Sequence, residues 1–361
     1  MDLIEICRQF GIKGEHVETE MLKSGNINST YKVTFNELGK EISYVIQKIN
    51  TYVFKNPDYI MANIKKVTGH ISYKLPEEKR TRGVLSYLER ENGDNFLIDE
   101  DSFWRGYTFI ENSVTYNNFA DLELLEGAGR AFGEFQTLLS DFDASALFEI
   151  IPNFHNTKAR IERLIEIAEQ DPAGRHDSVK EEMDFILENK EIGESLCNML
   201  DEGTLPLRVT HNDTKGNNVL FDPDTKKTLA VIDLDTVMPG LIAYDFGDAV
   251  RFAANNTDED DPDISKVYLC IERFEAFAKG FVPQIKHGAI KAELDTLALG
   301  AIVMTYELAV RFLDDYIAGD KYFKVLYPEH NIVRARNQIA LCKDMLAKRE
   351  LMEETVRKYT A

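Results

Sequence analysis

The hydrophobic pattern of the chain changes period about a third of the way along. Val17–Leu22, Ser29–Phe35 and Glu41–Asn50 alternate polar with apolar positions or are rich in β-branched and aromatic residues, punctuated by Gly25 and Gly39, which predicts three strands. Asn56-Pro57 opens a helix, with the Asn as N-cap and the Pro in its first turn. Ile60, Ile64, Val67 and Ile71 then fall on one face of it. Gly83–Arg90 and Asn95–Ile110 read as a hairpin pair with Asn92-Gly93 in the connection. From about Asp121 the period becomes helical, with Leu125, Ala128, Phe132, Phe135 and Leu139 on one stripe. More helix is predicted from Asn156 to about Glu202, broken at Asp171-Pro172, and again from Asp263 to the end, with strands over Leu207–Ile232 between them. The expectation is an α+β chain of two lobes: a small antiparallel sheet with one helix after its third strand in residues 1–112, and a larger, mainly helical lobe in 113–361.

Charge and composition narrow the partners. The 361 residues carry a net charge of −20, so the basic footprint that nucleic acid or anionic lipid requires is missing. The start, Met1-Asp-Leu-Ile-Glu-Ile-Cys7, has neither a basic region nor a cleavage pattern, so no export signal is expected there. The longest apolar stretch, Leu297–Leu313, is interrupted by Glu307 and Arg311 and reads as a buried helix, not a membrane span. Cys7, Cys197, Cys270 and Cys342 lack the spacing of a metal site or a disulfide framework, which implies free thiols and a cytoplasmic location.

The chemistry is concentrated in Arg208–Phe221 and in the strand Leu229–Ile232 that delivers Asp233-Leu-Asp235. Phosphoryl transfer from ATP has a loose transition state, managed by positioning and by spreading charge. It needs a carboxylate at the acceptor hydroxyl and an amide plus a second carboxylate to hold Mg²⁺ on the phosphates. Kinases supply these as H-x-D-x-x-x-x-N, a strand, then Asp. His211, Asp213 and Asn218 match that spacing and Asp233 follows the strand, which makes Asp213 the candidate base and Asn218 and Asp233 the candidate metal ligands. Lys215 is expected to point its cation at the γ-phosphate, and Asp235 either to share a second ion or to stay solvated. His211 reads as an imidazole that supports the loop, and Asp245, in Tyr244-Asp-Phe-Gly, as a brace beneath it; that Asp lies one turn too late to be the metal ligand. Two readings from other classes compete. Asp233-Leu-Asp235 after an apolar strand also suits a phosphatase whose nucleophile is Asp233, but such a fold begins with this strand, and here more than half the chain precedes it. A catalytically silent nucleotide binder is the other.

Several further blocks carry a resemblance. They are Tyr44-Val-Ile-Gln-Lys-Ile-Asn50 with Val53-Phe-Lys-Asn-Pro57, Phe103-Trp-Arg105, Ile151-Pro-Asn-Phe-His155, His211-Asn-Asp-Thr-Lys215, Val231-Ile-Asp-Leu-Asp-Thr-Val-Met-Pro-Gly240, and Arg311-Phe-Leu followed by Gly319-Asp-Lys-Tyr-Phe323. With these the chain resembles, over nearly its whole length, the aminoglycoside-phosphotransferase and choline-kinase superfamily, and within it the N-acetylhexosamine 1-kinases. The resemblance implies a protein-kinase-like fold with a nucleotide-binding small lobe. It also implies ATP- and Mg²⁺-dependent phosphorylation of the anomeric (C1) hydroxyl of GlcNAc or GalNAc, giving the sugar 1-phosphate. Aminoglycosides and amino alcohols are the alternative acceptors within the same fold.

In that frame Ser24–Thr30 occupies the place of a phosphate-covering turn, with Gly25, Asn28, Ser29 and Thr30 as candidate contacts through backbone N–H and hydroxyl groups. Gln47 and Lys48 are adjacent on the third strand and point to opposite faces, and charge favours Lys48 as the phosphate-facing cation. The helix that follows reads Met61-Ala-Asn63-Ile64 and offers no glutamate for the Lys–Glu pair of protein kinases. The adenine edge is expected near Phe109–Ser113. Arg311 is the candidate donor to the sugar, an ion pair with Glu307 one helical turn away being the bland reading. Tyr322 joins Arg311 as a sugar contact; Phe154 and His155 are weaker candidates, a lone Phe-His after Pro152 being more often packing and a helix cap. A fixed cation there suits a neutral N-acetylated sugar better than a polycationic aminoglycoside.

Overall fold

A computed structural model describes residues 1–22, 28–51, 54, 56–100, 102–117 and 120–360. Gly25, Val53 and Lys55 therefore lie outside the described residues. In chain order the elements are α1 (Leu3–Gln9), β1 (Glu15–Leu22), β2 (Ser29–Glu37), β3 (Lys40–Ile49), α2 (Pro57–Lys74), α3 (Glu77–Gly83), β4 (Leu97–Asp99), β5 (Ser102–Thr108), α4 (Leu122–Leu138), α5 (Thr157–Gln170), α6 (Lys180–Glu188), α7 (Lys190–Asp201), β6 (Arg208–Thr210), β7 (Val219–Phe221), β8 (Thr228–Val231), β9 (Met238–Gly240), α8 (Ile242–Ala253), α9 (Ile271–Ile285), α10 (Lys291–Asp295), α11 (Leu297–Ala318), α12 (His330–Ala347) and α13 (Arg349–Thr360). They form two compact units. The first comprises Met1–Thr115, Ser145–Ile151 and Val219–Met238; the second comprises Tyr116–Ala144, Pro152–Asn218 and Pro239–Ala361.

The first unit is built on an antiparallel sheet of order β1-β2-β3-β5-β4. One face is covered by α1, whose Ile6 and Cys7, with Phe10, pack against Val33, Phe35, Ile46, Leu97 and Trp104. Burial pushes the Cys7 thiol up to about 12, so it is an inert core residue. The hairpin expected from 83–90 and 95–110 takes a different form. Glu77–Gly83 is a short helix with no buried residue. The segment after it joins the sheet through a bridge between Tyr87 and Tyr107 and the bonds Leu88 N–H to Gly106 O (2.8 Å) and Thr108 N–H to Ser86 O (3.0 Å), without forming a strand. The fourth strand is the short Leu97–Asp99. Nor is the boundary a single cut near residue 112, because the β7–β8 hairpin clusters with the first unit. Val114 bridges Phe221, and Ala230 packs with Leu85 and Ile110, which tethers the hairpin there.

The second unit is helical. α11 is buried on almost every side, which explains an apolar run long enough to resemble a span. No helix among the described residues is long and apolar enough to cross a membrane. α8 and α11 meet where glycine faces backbone: a Cβ on Gly247 would lie 2.3 Å from Gly300 O, and one on Gly300 would lie 2.3 Å from Ala243 O. Only residues without a side chain permit so close a crossing, and it fixes the polar residues of α8 against those of α11.

Candidate active site

The candidate catalytic loop leaves β6 and is held by two carboxylates from α8. Asp245 is buried and accepts hydrogen bonds from His211 N (2.9 Å), Asn212 N (2.8 Å) and Gln136 Nε2 (2.6 Å). Its own carbonyl accepts from Thr214 Oγ1 (2.6 Å). Burial pushes the Asp245 carboxyl up, while His211, the two backbone N–H groups and Gln136 pull it back. With both oxygens so occupied, Asp245 serves the loop and not a cation. Three residues on, Asp248 accepts from Thr214 N (3.0 Å) and from Arg251 (2.9 Å), whose other nitrogen reaches Glu259 (2.7 Å). Burial works to raise Asp248, but Arg251 and then Lys215 hold it below the ordinary aspartate range. His211 is fully buried, edge-on to Phe132 and Phe135, and its Nδ1 accepts from Asp213 N (3.3 Å). Asn212 turns the chain with φ 62°, a left-handed conformation that asparagine tolerates better than most residues.

This support presents Asp213, Lys215 and Asn218 together. Asn218 Nδ2 donates to Asp213 O (2.8 Å) and to its carboxylate (3.2 Å), and Lys215 Nζ lies 3.0 Å from the same carboxylate. Asp213 in turn raises the Lys215 pKa, keeping the ammonium charged. Because its amide nitrogen is committed, Asn218 has its amide oxygen, a hard donor, left for a divalent cation.

In the first unit Asp233 closes β8 as an exposed residue at φ 60°. A non-glycine held in this region of φ signals local strain of the kind found at functional sites. Asp235 corrects the expectation that it shares an ion or is solvated. Its carboxylate is buried in an ion pair with Arg105 and accepts from Asn28 Nδ2 (2.8 Å). Arg105 Nε donates to Gln47 (2.8 Å), and Gln47 donates to Thr30 Oγ1 (3.1 Å). Asn28 Oδ1 accepts from Asn50 N (3.0 Å), so its side chain is spent on this network and only its backbone is left for a phosphate.

Register also decides the face of the third strand. Gln47 pairs with Arg105 and Lys48 with Trp104. Lys48 is exposed on the opposite face from Asp235, with Nζ 5.7 Å from the Trp104 ring centroid, and Ser29, its partner on β2, shares that face. The buried cation on the Asp235 face is Arg105, paired with that carboxylate, whereas Lys48 lies on the other face. On α2, which offers no glutamate for the Lys–Glu pair of protein kinases, Asn63 Nδ2 donates to Val237 O (2.9 Å) and Phe148 O (2.8 Å). Near the expected adenine segment, Phe109 N–H donates to Ser43 O (3.0 Å), and Arg82 donates to Asn112 O (2.8 Å).

Arg311, in the second unit, is not tied to Glu307. The Glu307 oxygens accept from His155 Nδ1 (3.0 Å) and Thr157 Oγ1 (2.9 Å). The Arg311 guanidinium is instead enclosed by the rings of Phe154, Phe323 and Tyr322, at 5.3, 5.6 and 5.8 Å from their centroids. The Tyr322 ring is 64% exposed, yet its backbone is fixed: buried Asp315 accepts from the N–H groups of Lys321 (2.8 Å), Tyr322 (2.7 Å) and Phe323 (2.9 Å) and from Asn331 (2.9 Å).

The family model described as "phosphotransferase enzyme family" matches residues 19–278, well over half the chain. The chain belongs to that family. Solved structures of this phosphotransferase fold are similar throughout. A microcompartment-associated aminopropanol kinase aligns over 96% of this chain and 97% of its own, with 15% identity and a TM-score of 0.67. A choline kinase from Cryptosporidium parvum Iowa II aligns over 98% and 96%, with 16% identity and a TM-score of 0.59. A spectinomycin phosphotransferase solved with ADP and spectinomycin aligns over 94% and 96%, with 15% identity and a TM-score of 0.58. At such identities the likeness speaks for the fold, and it agrees with the antiparallel sheet and helical remainder of this phosphotransferase.

Sequence reasoning passed over the support given by Asp248, Arg251 and Asp315, and the pairing of Asp235 with Arg105 and Asn28. The i,i+3 spacing of Asp245 and Asp248 at a helix start was a usable signal. The partners of Asp235 and Asp315 are distant in sequence or belong to backbone, and no local pattern marks them.

Proposed function

We propose that this phosphotransferase uses ATP and Mg²⁺ to phosphorylate the anomeric hydroxyl of an N-acetylhexosamine. Asp213 orients the C1 hydroxyl in line with the γ-phosphate and takes its proton late. Lys215, beside Asp213, leaves it for the γ-phosphate and so compensates charge on the transferred group. The Asn218 amide oxygen and the Asp233 carboxylate would hold Mg²⁺, which supplies charge neutralisation on the phosphates; with phosphate oxygens and water completing its shell, such an ion needs no cluster of three carboxylates. Backbone N–H groups of Asn28, Ser29 and Thr30 cover the phosphates, and the segment 109–113 meets the adenine.

The observation that carries the acceptor reading is the Arg311 guanidinium held among Phe154, Tyr322 and Phe323 without a carboxylate partner among the described residues. Burial and the neighbouring Arg311 lower the Arg160 pKa against the pull of Glu307, so two guanidinium groups and one carboxylate share this corner. It repels an ammonium group and suits a neutral ligand offering a carbonyl, ring hydroxyls and an apolar face. The acetamide and pyranose ring of an N-acetylhexosamine have all three.

The test is a panel of GlcNAc, GalNAc, glucose, kanamycin, choline and aminopropanol with ATP and Mg²⁺, with the product's phosphorus–carbon coupling read by NMR. The expected product is a hexosamine 1-phosphate with ADP. Asp213→Ala should lower kcat by roughly 10²–10⁴-fold while nucleotide still binds. Coupling at another carbon, or turnover of kanamycin or an amino alcohol alone, would overturn the substrate; an active Asp213→Ala would overturn the base.

A further inference from the structure

We propose that Nε2 of His155 accepts a hydrogen bond from one hydroxyl of the bound acceptor, making His155 a specificity-determining residue of the reaction inferred above. His155 is buried, and its Nδ1 is held by Glu307. Its Nε2 is also buried and has no hydrogen-bond partner among the described residues. Buried polar atoms are nearly always satisfied, and an exception calls for a ligand or a water. Capping does not account for this side chain, because the N-cap of α5 is Asn156, whose Oδ1 accepts from Ala159 N (3.1 Å).

Position gives the orphan nitrogen its meaning. Phe154 and His155 are consecutive, as are the turns of α11 that carry Glu307 and Arg311. The Phe154 ring faces the Arg311 guanidinium while His155 bonds Glu307, so the imidazole stands one turn along α11 from the aromatic box. On its other side the ring lies 5.0 Å from Tyr244, which precedes Asp248 by one turn of α8. Asp248 in turn accepts from Thr214 N, next to Asp213. His155 therefore sits between the Arg311 box and the support of the catalytic loop, where an acceptor whose reacting hydroxyl meets Asp213 has its ring.

The tautomer sets the polarity of the contact. The Glu307 carboxylate accepts from Thr157 Oγ1 and from His155 Nδ1, so Nδ1 carries a proton, and in the neutral imidazole Nε2 is left as the acceptor. Nε2 is then a lone pair. A sugar hydroxyl can donate to this lone pair and accept from Arg311 at once, which neither an ether oxygen nor an acetamide carbonyl can do.

The inference rests on the acceptor reading but is tested apart from it. Purified full-length protein is assayed for kcat/KM with the preferred hexosamine and its 3-, 4- and 6-deoxy analogues, using wild type, His155→Phe and His155→Gln. For one analogue the wild type should lose about 10- to 100-fold, the scale of a missing hydrogen bond to a buried acceptor. His155→Phe should lose a similar factor on the parent sugar and nothing more on that analogue, with KM for ATP unchanged. His155→Gln, whose amide oxygen can stand near Nε2, should recover part of the loss on the parent sugar only. Additive losses on every analogue, or an unchanged kcat/KM in His155→Phe, would overturn the proposal. If His155→Phe does not fold, His155→Leu carries the same cycle. If no hexosamine is turned over, the substrate reading fails by itself, and deoxy analogues of the acceptor that is turned over decide His155.

Discussion

Replacing Arg105 by methionine should destabilise the first unit severely, and neutralising Asp235 in the same chain should restore most of the loss. The side chains of Arg105 and Asp235 are 2% and 5% exposed and form a buried ion pair. Methionine fills much of the arginine's volume but leaves a carboxylate out of water with only the Asn28 amide for company. Breaking a buried pair from one side costs roughly 3–5 kcal/mol, whereas replacing both partners is often close to neutral. In Arg105→Met/Asp235→Asn the uncharged amide keeps its contact with Asn28, so a residual cost below about 2 kcal/mol is expected, part of it from the unpaired Gln47 oxygen. Trp104 is the only tryptophan of the chain and sits in the core between α1 and the sheet, so its fluorescence reports on this unit alone. With a urea m-value of about 2 kcal/mol per M, a loss of about 4 kcal/mol moves the midpoint by roughly 2 M. A single variant within about 0.5 M of wild type, or a double variant as unstable as Arg105→Met, would refute the reasoning that the pair is buried and interdependent.

Two further outcomes follow from the acceptor corner. Asp315→Asn trades a carboxylate that gathers three backbone N–H groups for an amide that repels one of them, so KM for the acceptor should rise about tenfold with KM for ATP unchanged. Hydrogen exchange at residues 321–323 should speed up in the same variant, and unchanged exchange would count against the clamp. Glu307 has a folded pKa below its unfolded value, so the unfolded chain binds its proton first and the stability Glu307 contributes is lost as pH falls from about 4.5 through the lower folded value. The urea midpoint of wild type should therefore drop more steeply than that of Glu307→Gln below about pH 4.5; parallel slopes would contradict this.

The sheet-then-helix order of the chain and the loop that gathers Asp213, Lys215 and Asn218 were legible in the chain because both are written locally. Apolar periodicity marks α2, α4 and α11, and one short segment carries Asp213, Lys215 and Asn218 on a loop that backbone and neighbouring side chains stiffen. The fourth strand was misplaced because Gly83–Arg90 has strand-like residues, while pairing is decided by what lies beside β5, where Leu97–Asp99 takes the edge.

Alternation alone determined that Gln47 and Lys48 face opposite ways. It could not determine which of those faces is the polar one, because that depends on what packs there. α1 covers the Trp104 face, leaving Lys48 at its solvent margin, and Asp235 arrives on the other side to neutralise Arg105. A buried charge is tolerated only with its partner, and that partner lies 130 positions further along the chain. The same holds for His155, whose spacing suggested a cap and whose pairing with Glu307, 152 positions away, leaves one buried nitrogen for something else to satisfy.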